Sequence, residues 1–173
     1  MENSILFSEK QRFTHWWLVL ILGLVNFLIL SILIVELTSK PIGGAKPISA
    51  QVVVFVSLLL IAIFSSIFLI QLQTTIKTDG IYVRFFPFQN NYRHIQWNEL
   101  SKSYVRTYNP INEYGGWGYR LSIFDKGKAY NVAGNKGLQL EFNYVKKLLI
   151  GTQKPEAIQS ALKKVTPIQR KQV

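Results

Sequence analysis

The chain has no cysteine. Disulfides, thiolate nucleophiles and cysteine-based metal sites are excluded at once. Histidine is almost as scarce, with only His15 and His94, which do not stand at metal-ligand spacing. Acidic residues are few as well, nine against twenty Lys/Arg, giving a formal net charge of +11. Glu99, Glu113 and Glu141 are scattered, so nothing pairs them for acid–base work. Glycines occur at Gly115, Gly116 and Gly118, at Gly127, and at Gly134 and Gly137, but no Gly-Lys-Ser/Thr follows any of them, which argues against a Walker-type phosphate loop. The sequence therefore predicts no catalytic centre, no cofactor and no metal.

Charge is also missing from two long stretches. No charged side chain occurs from Trp16 to Val35 or from Pro47 to Ile76. About twenty apolar residues at 1.5 Å rise span roughly 30 Å, one hydrocarbon core. Neither stretch has the polar face of a soluble amphipathic helix. The expectation is a hairpin of two transmembrane helices over residues 16–72, with spans of about 16–37 and 52–72, preceded by a tail of residues 1–15. His15, Trp16 and Trp17 fall at the expected headgroup layer. Asn26 is placed to hydrogen-bond to the partner helix. Pro41, Gly43, Gly44 and Pro47 make residues 38–51 a loop, with Lys40 and Lys46 in it. Neither span carries Asp, Glu, Lys or Arg at its middle, which argues against a transporter acting alone.

From Lys77 onward the chain has sixteen Lys/Arg and six Asp/Glu, so nearly all the positive charge is C-terminal. The positive-inside rule then places both termini in the cytoplasm. A basic domain beside a membrane also attracts anionic headgroups.

After Leu72 the hydrophobic period becomes two. Ile81, Val83 and Phe85 alternate with Tyr82, Arg84 and Phe86, and Thr78-Asp79-Gly80 before them is turn-forming. Further strands are predicted at 103–108, 119–124, 128–132, 137–143 and 146–150, with a first one at 73–77 pairing across that turn. Asn109-Pro110, Asp125-Lys126-Gly127 and Gly134-Asn135-Lys136-Gly137 separate them. Pro155 and Glu156 then open a helix whose stripe is Ile158, Ala161, Leu162 and Val165. Pro167 is expected to end it, leaving a basic tail at 166–173. The predicted domain, residues 73–165, is thus α+β and mainly β: about seven strands with one C-terminal helix over the open mouth of a small bent sheet or partial barrel.

Strand pattern and closing helix resemble the bacterial pleckstrin-homology-like domains. The stretches Phe85-Phe86-Pro87-Phe88, Tyr108-Asn109-Pro110, Tyr114-Gly115-Gly116-Trp117-Gly118, Lys128-Ala129-Tyr130-Asn131-Val132 and Leu149-Ile150-Gly151-Thr152-Gln153-Lys154-Pro155 are similar to a family of short bacterial two-span membrane proteins of unknown function. The resemblance implies a PH-like domain held at the bacterial inner membrane by a multi-pass anchor. Lipid-binding pleckstrin domains use basic residues around their first hairpin. Lys77 and Arg84 occupy that place, but the turn between them is short and holds Asp79.

The loop from Asn109 to Arg120 gathers Tyr114, Trp117, Tyr119 and Arg120 around three glycines. Such residues anchor interfaces. They also serve as a plug over a small sheet, and both readings stand. The expected contacts for a partner are Trp117, Tyr119, Arg120, Lys126, Lys128 and Lys136. Basic charge is spread over all the strands, and no RNP-like or helix-turn-helix pattern occurs, so nucleic acid is not the expected partner. The expectation is a non-enzymatic module acting at the membrane face on a protein partner or on the anionic lipid of the bilayer. The alternative is an accessory subunit working through the hairpin.

Overall fold

The computed structural model describes residues 4–13, 16–38, 49–122 and 127–170. In chain order these form β1 (Ile5–Arg12), α1 (Trp16–Thr38), α2 (Ala50–Ser66), β2 (Gln71–Lys77), β3 (Gly80–Phe86), β4 (Arg93–Gln96), β5 (Leu100–Thr107), α3 (Pro110–Tyr114), β6 (Gly118–Leu121), β7 (Lys128–Asn131), β8 (Lys136–Phe142), β9 (Lys147–Gly151) and α4 (Pro155–Arg170). Two compact units result. One joins Met1–Phe13 to Ile70–Val173; the other is Thr14–Leu69.

The helical unit corrects the expected transmembrane hairpin. Among the described residues no helix is long and apolar enough to cross a membrane. The second apolar stretch does not stay helical to Leu72. α2 covers 17 residues, about 25 Å, then tightens into a 3-10 turn at Ile67–Leu69 and passes into β2. The multi-pass inner-membrane placement, and the orientation of the termini derived from it, fall with the spans. Both helices still leave large apolar groups exposed, among them Leu24, Phe27, Phe55 and Leu58. Asn26 does not reach a partner helix: its Nδ2 donates to the Leu22 carbonyl one turn back, at 2.9 Å. His15 and the loop residues Lys40, Pro41, Gly43, Gly44, Lys46 and Pro47 lie outside the described residues.

The β unit has nine strands among the described residues, in two sheets, where about seven were expected in a bent sheet or partial barrel. The first is antiparallel throughout, in the order β1-β2-β3-β4. Its β1 corrects the expected N-terminal tail: Arg12 pairs with Gln71 and Ile5 with Lys77. The inward positions of β1 are Phe7, Glu9 and Gln11. Two of the three are polar, so the strand has no apolar alternation to announce it. In β3, Ile81, Val83 and Phe85 are fully buried and alternate with half-buried neighbours.

The second sheet runs β5-β8-β9-β7-β6. β6 and β7 pair antiparallel, but β7 lies parallel to β9, with Tyr130 opposite Ile150. Parallel strands are covered on both faces, which accounts for Leu148, Leu149 and Ile150 being buried in succession. Leu148 and Ile150 face the main core with Phe85, Tyr130, Leu138 and Leu140. Leu149 and Ala129 face the other way, under Tyr108 and Tyr114. α4 lays Ile158, Ala161 and Val165 onto the main core. It continues through Pro167 to Arg170, past the expected stop.

Candidate functional site

The loop from Asn109 to Arg120 is built as a cover for the outer face of the second sheet. Asn109 Oδ1 accepts from the backbone N–H groups of Ile111 and Asn112 at 3.1 and 3.0 Å, starting α3. Glu113 Oε1 accepts from the Asn109 N–H at 2.8 Å. Gly115, at φ 69°, ends the helix, where a left-handed residue is required. Tyr114 is thereby driven into the small core and meets Tyr108 edge to face at 6.1 Å. Arg106 of β5 ties the segment down. Its Nε donates to Gln139 Oε1 at 2.9 Å, and its terminal nitrogens reach Tyr114 Oη at 3.2 Å and Glu113 Oε2 at 2.9 Å. Asn131 donates to Tyr108 Oη at 3.1 Å and accepts from the Gly118 N–H at 2.8 Å.

These phenols are not poised for chemistry. Burial pushes the Tyr108 hydroxyl up to about 12, against the opposing donation from Asn131. Burial also raises Tyr114 and Tyr130. All three stay protonated at neutral pH. Among the described residues no group of three His, Cys, Asp or Glu is placed to hold a metal ion. His94 lies on β4, stacked on Tyr82 at 4.3 Å, with its Nε2 3.7 Å from Asp79 Oδ2. Lys77 and Arg84 do not form a headgroup pair. The first sits over the Tyr82 ring, and the second donates to Gln73 and Asn90.

The five expected contact residues that are described do not converge. Trp117 Nε1 donates to the Gly134 carbonyl at 3.1 Å, and Arg120 Nε donates to the Trp117 carbonyl at 3.1 Å. Lys136 opens β8 at the same end of the sheet. It borders a cleft of about 250 Å³ with Gln153 and Glu156. Lys128 lies at the opposite end, opposite Leu121 on β6 and Leu148 on β9. Tyr119 stands between these ends, stacked on Tyr130 at 4.9 Å and on the exposed ring of Phe88 at 6.0 Å. Lys126 lies outside the described residues.

A larger cleft, about 530 Å³, opens at the Lys128 end. Strand register puts Leu121, Lys128, Leu148 and Phe142 on the core-facing side of the second sheet. The cleft is thus the end of the space between the two sheets. Its lining includes the apolar Leu121, Phe142 and Leu148 and the cationic Arg93, Lys128 and Lys146, with Lys147, which register turns to the other face, at its rim. Arg93 comes from the first sheet, with its guanidinium 5.5 Å from the Phe142 ring centre. No carboxylate is among the described lining residues. Gly127, at φ +82°, lets β7 begin here, because a Cβ at that position would collide with the Lys147 carbonyl. Of the five expected residues that are described, Lys128 alone belongs to this cleft. Sequence reasoning missed Arg93, Lys146 and Lys147. The one available signal was the Lys146-Lys147 pair set between the apolar Tyr144-Val145 and Leu148-Leu149-Ile150.

Comparison with protein-family models, curated proteins and solved structures found no match. The expected membership in a PH-like family of two-span membrane proteins is corrected on this ground.

Proposed function

We propose that this protein is a non-enzymatic binding module whose ligand is an anionic lipid, taken at the cleft between the two sheets. One observation carries the reading: the cleft is lined by the cationic residues Arg93, Lys128, Lys146 and Lys147 and the apolar Leu121, Phe142 and Leu148, with no carboxylate among the described lining residues. An anion alone needs no such apolar lining, and an apolar ligand alone needs no such cations. A molecule with an acidic head and an apolar body uses both. The cleft volume lies within the ordinary range for small-molecule sites. The lysine stems add apolar surface while their ammonium groups stay wet. The chain's net charge of +11 draws anions from a distance.

The test is titration of the full chain with short-chain phosphatidylglycerol and short-chain phosphatidylcholine, both below their micelle concentrations, in a salt series. Saturable binding of the anionic lipid that weakens with salt and is lost in Lys128→Glu is the expected result. Equal binding of both lipids, or binding unaffected by Lys128→Glu, refutes the reading. An acidic protein that binds in place of lipid also refutes it.

A further inference from the structure

The turn joining β8 to β9 presents apolar side chains where a hairpin ordinarily presents polar ones. Tyr144 is 83% exposed and Val145 91%. Val145 has φ +55°, the left-handed region that β-branched residues avoid most strongly. Asn or Gly would make the same turn without strain. The turn is nevertheless well closed: the Phe142 N–H donates to the Lys146 carbonyl at 2.9 Å and the Lys146 N–H to the Tyr144 carbonyl at 2.6 Å. Two apolar groups are thus held outward by a fixed backbone. Directly behind them stand Lys146 and Lys147, both exposed, and Val145 and both lysines line the basic cleft. Leu121, on the far side of that cleft, is 64% exposed.

We infer that Tyr144 and Val145 form an anchor that seats the cleft on an anionic bilayer surface, with the two side chains below the headgroups and Lys146 and Lys147 among the phosphates. This rests on the anionic-lipid reading of the cleft and adds where that lipid is met. Charge complementarity selects the occupant: the tip is apolar, the ring behind it is cationic, and an anionic bilayer offers those two environments in that order. Tyr suits the boundary because its ring is apolar and its hydroxyl is wet. The anchor lies on the surface and spans nothing.

The chain's lack of cysteine makes the test clean, since Val145→Cys in the full chain takes one environment-sensitive fluorophore. Asn135→Cys, at the opposite end of the sheet, is the control. Vesicles are phosphatidylcholine with and without phosphatidylglycerol. The label at position 145 is expected to shift to the blue and to be quenched by bromolipid with anionic vesicles only, while the control stays in water. Tyr144→Ser with Val145→Gly is expected to weaken anionic-vesicle binding roughly tenfold. The glycine removes the backbone strain, so misfolding does not explain that loss. The inference is overturned if the label stays in water while the chain is vesicle-bound, if the control shifts equally, or if the double variant binds as before. If short-chain phosphatidylglycerol still occupies the cleft in that case, the anchor alone has failed. If it does not, the lipid reading has failed too.

Discussion

The Glu9 carboxylate accepts a 2.6 Å hydrogen bond from the Thr152 hydroxyl, across 143 residues of chain. Its other oxygen accepts from the Gln153 N–H at 2.9 Å, and Thr152 Oγ1 in turn accepts from the Lys154 N–H at 2.9 Å, just before α4 begins. Two residues along β1, Gln11 Nε2 donates to the Gly151 carbonyl at 2.8 Å. These contacts tie the first strand of one sheet to the last strand of the other and to the entry of α4. The chain leaves β1 at Phe13 and returns to its neighbour at Ile70, so the polar latch holds the strand that precedes the helical unit.

Glu9→Ala is expected to destabilise the β unit by about 2–3 kcal/mol, because charged, buried hydrogen bonds are lost and Thr152 and Gln153 are left unsatisfied. Glu9→Gln should lose less, since its amide oxygen still accepts. Urea denaturation of these variants with Thr152→Val, combined as a double-mutant cycle, checks this. Additive effects would mean that the two side chains do not act together.

Alkaline pH should destabilise the protein as it rises past about 10. Burial in the folded state pushes the Tyr108 hydroxyl up from its ordinary 10.0 to about 12. The folded state therefore holds its proton more tightly than the unfolded state. The stability this represents is fully present below about pH 10 and is lost as pH rises towards about 12. For this group alone the loss is about 2–3 kcal/mol, and Tyr114 and Tyr130, also raised, add to it in the same direction. Denaturant midpoints measured through this range should fall with pH. A flat profile would contradict the burial of these phenols.

Some of this architecture could be read from residue patterns and some could not. The alternation in β3 and the Ile158, Ala161, Val165 stripe of α4 are local, and each predicts its own element. β1 is invisible to that reasoning because Glu9 and Gln11 occupy core-facing positions, where Glu9 meets Thr152 and Gln153 and the Gln11 Nε2 meets Gly151, far away in sequence. β4 is short and buries Ile95 alone. The second sheet's order depends on the parallel pairing of Tyr130 with Ile150, which no local period encodes. The apolar runs predicted helices, but the chain from Ile67 onward turns into a 3-10 segment and a strand instead of completing a span. The cleft was legible only at Lys128. Arg93 joins it from the other sheet, and that convergence exists only after folding.

Val145→Gly separates strain from function. A β-branched residue in the left-handed region costs about 1–2 kcal/mol, and glycine recovers this while adding about 0.5–1 kcal/mol of unfolded-state entropy. The variant should be as stable as the parent or up to about 1 kcal/mol more stable, by urea denaturation. A clear destabilisation would show that the Val145 side chain packs within the fold despite its exposure.

Charge reversal should distinguish the two ends of the second sheet. Lys146→Glu and Lys147→Glu each replace a cation at the rim of the larger cleft with an anion. Each positive charge near an anionic surface contributes about 1 kcal/mol, so each reversal should weaken binding to phosphatidylglycerol vesicles by at least about tenfold at low salt. The difference should shrink as added salt shortens the Debye length. Lys136→Glu changes the net charge equally but acts at the opposite end, beside Gln153 and Glu156, and should have a much smaller effect. The comparison is decisive because the variants share one net charge. Equal losses from all three would mean that only the overall charge of +11 attracts the membrane. A larger loss from Lys136→Glu would move the lipid site to the end of the sheet that holds Trp117 and Gly134.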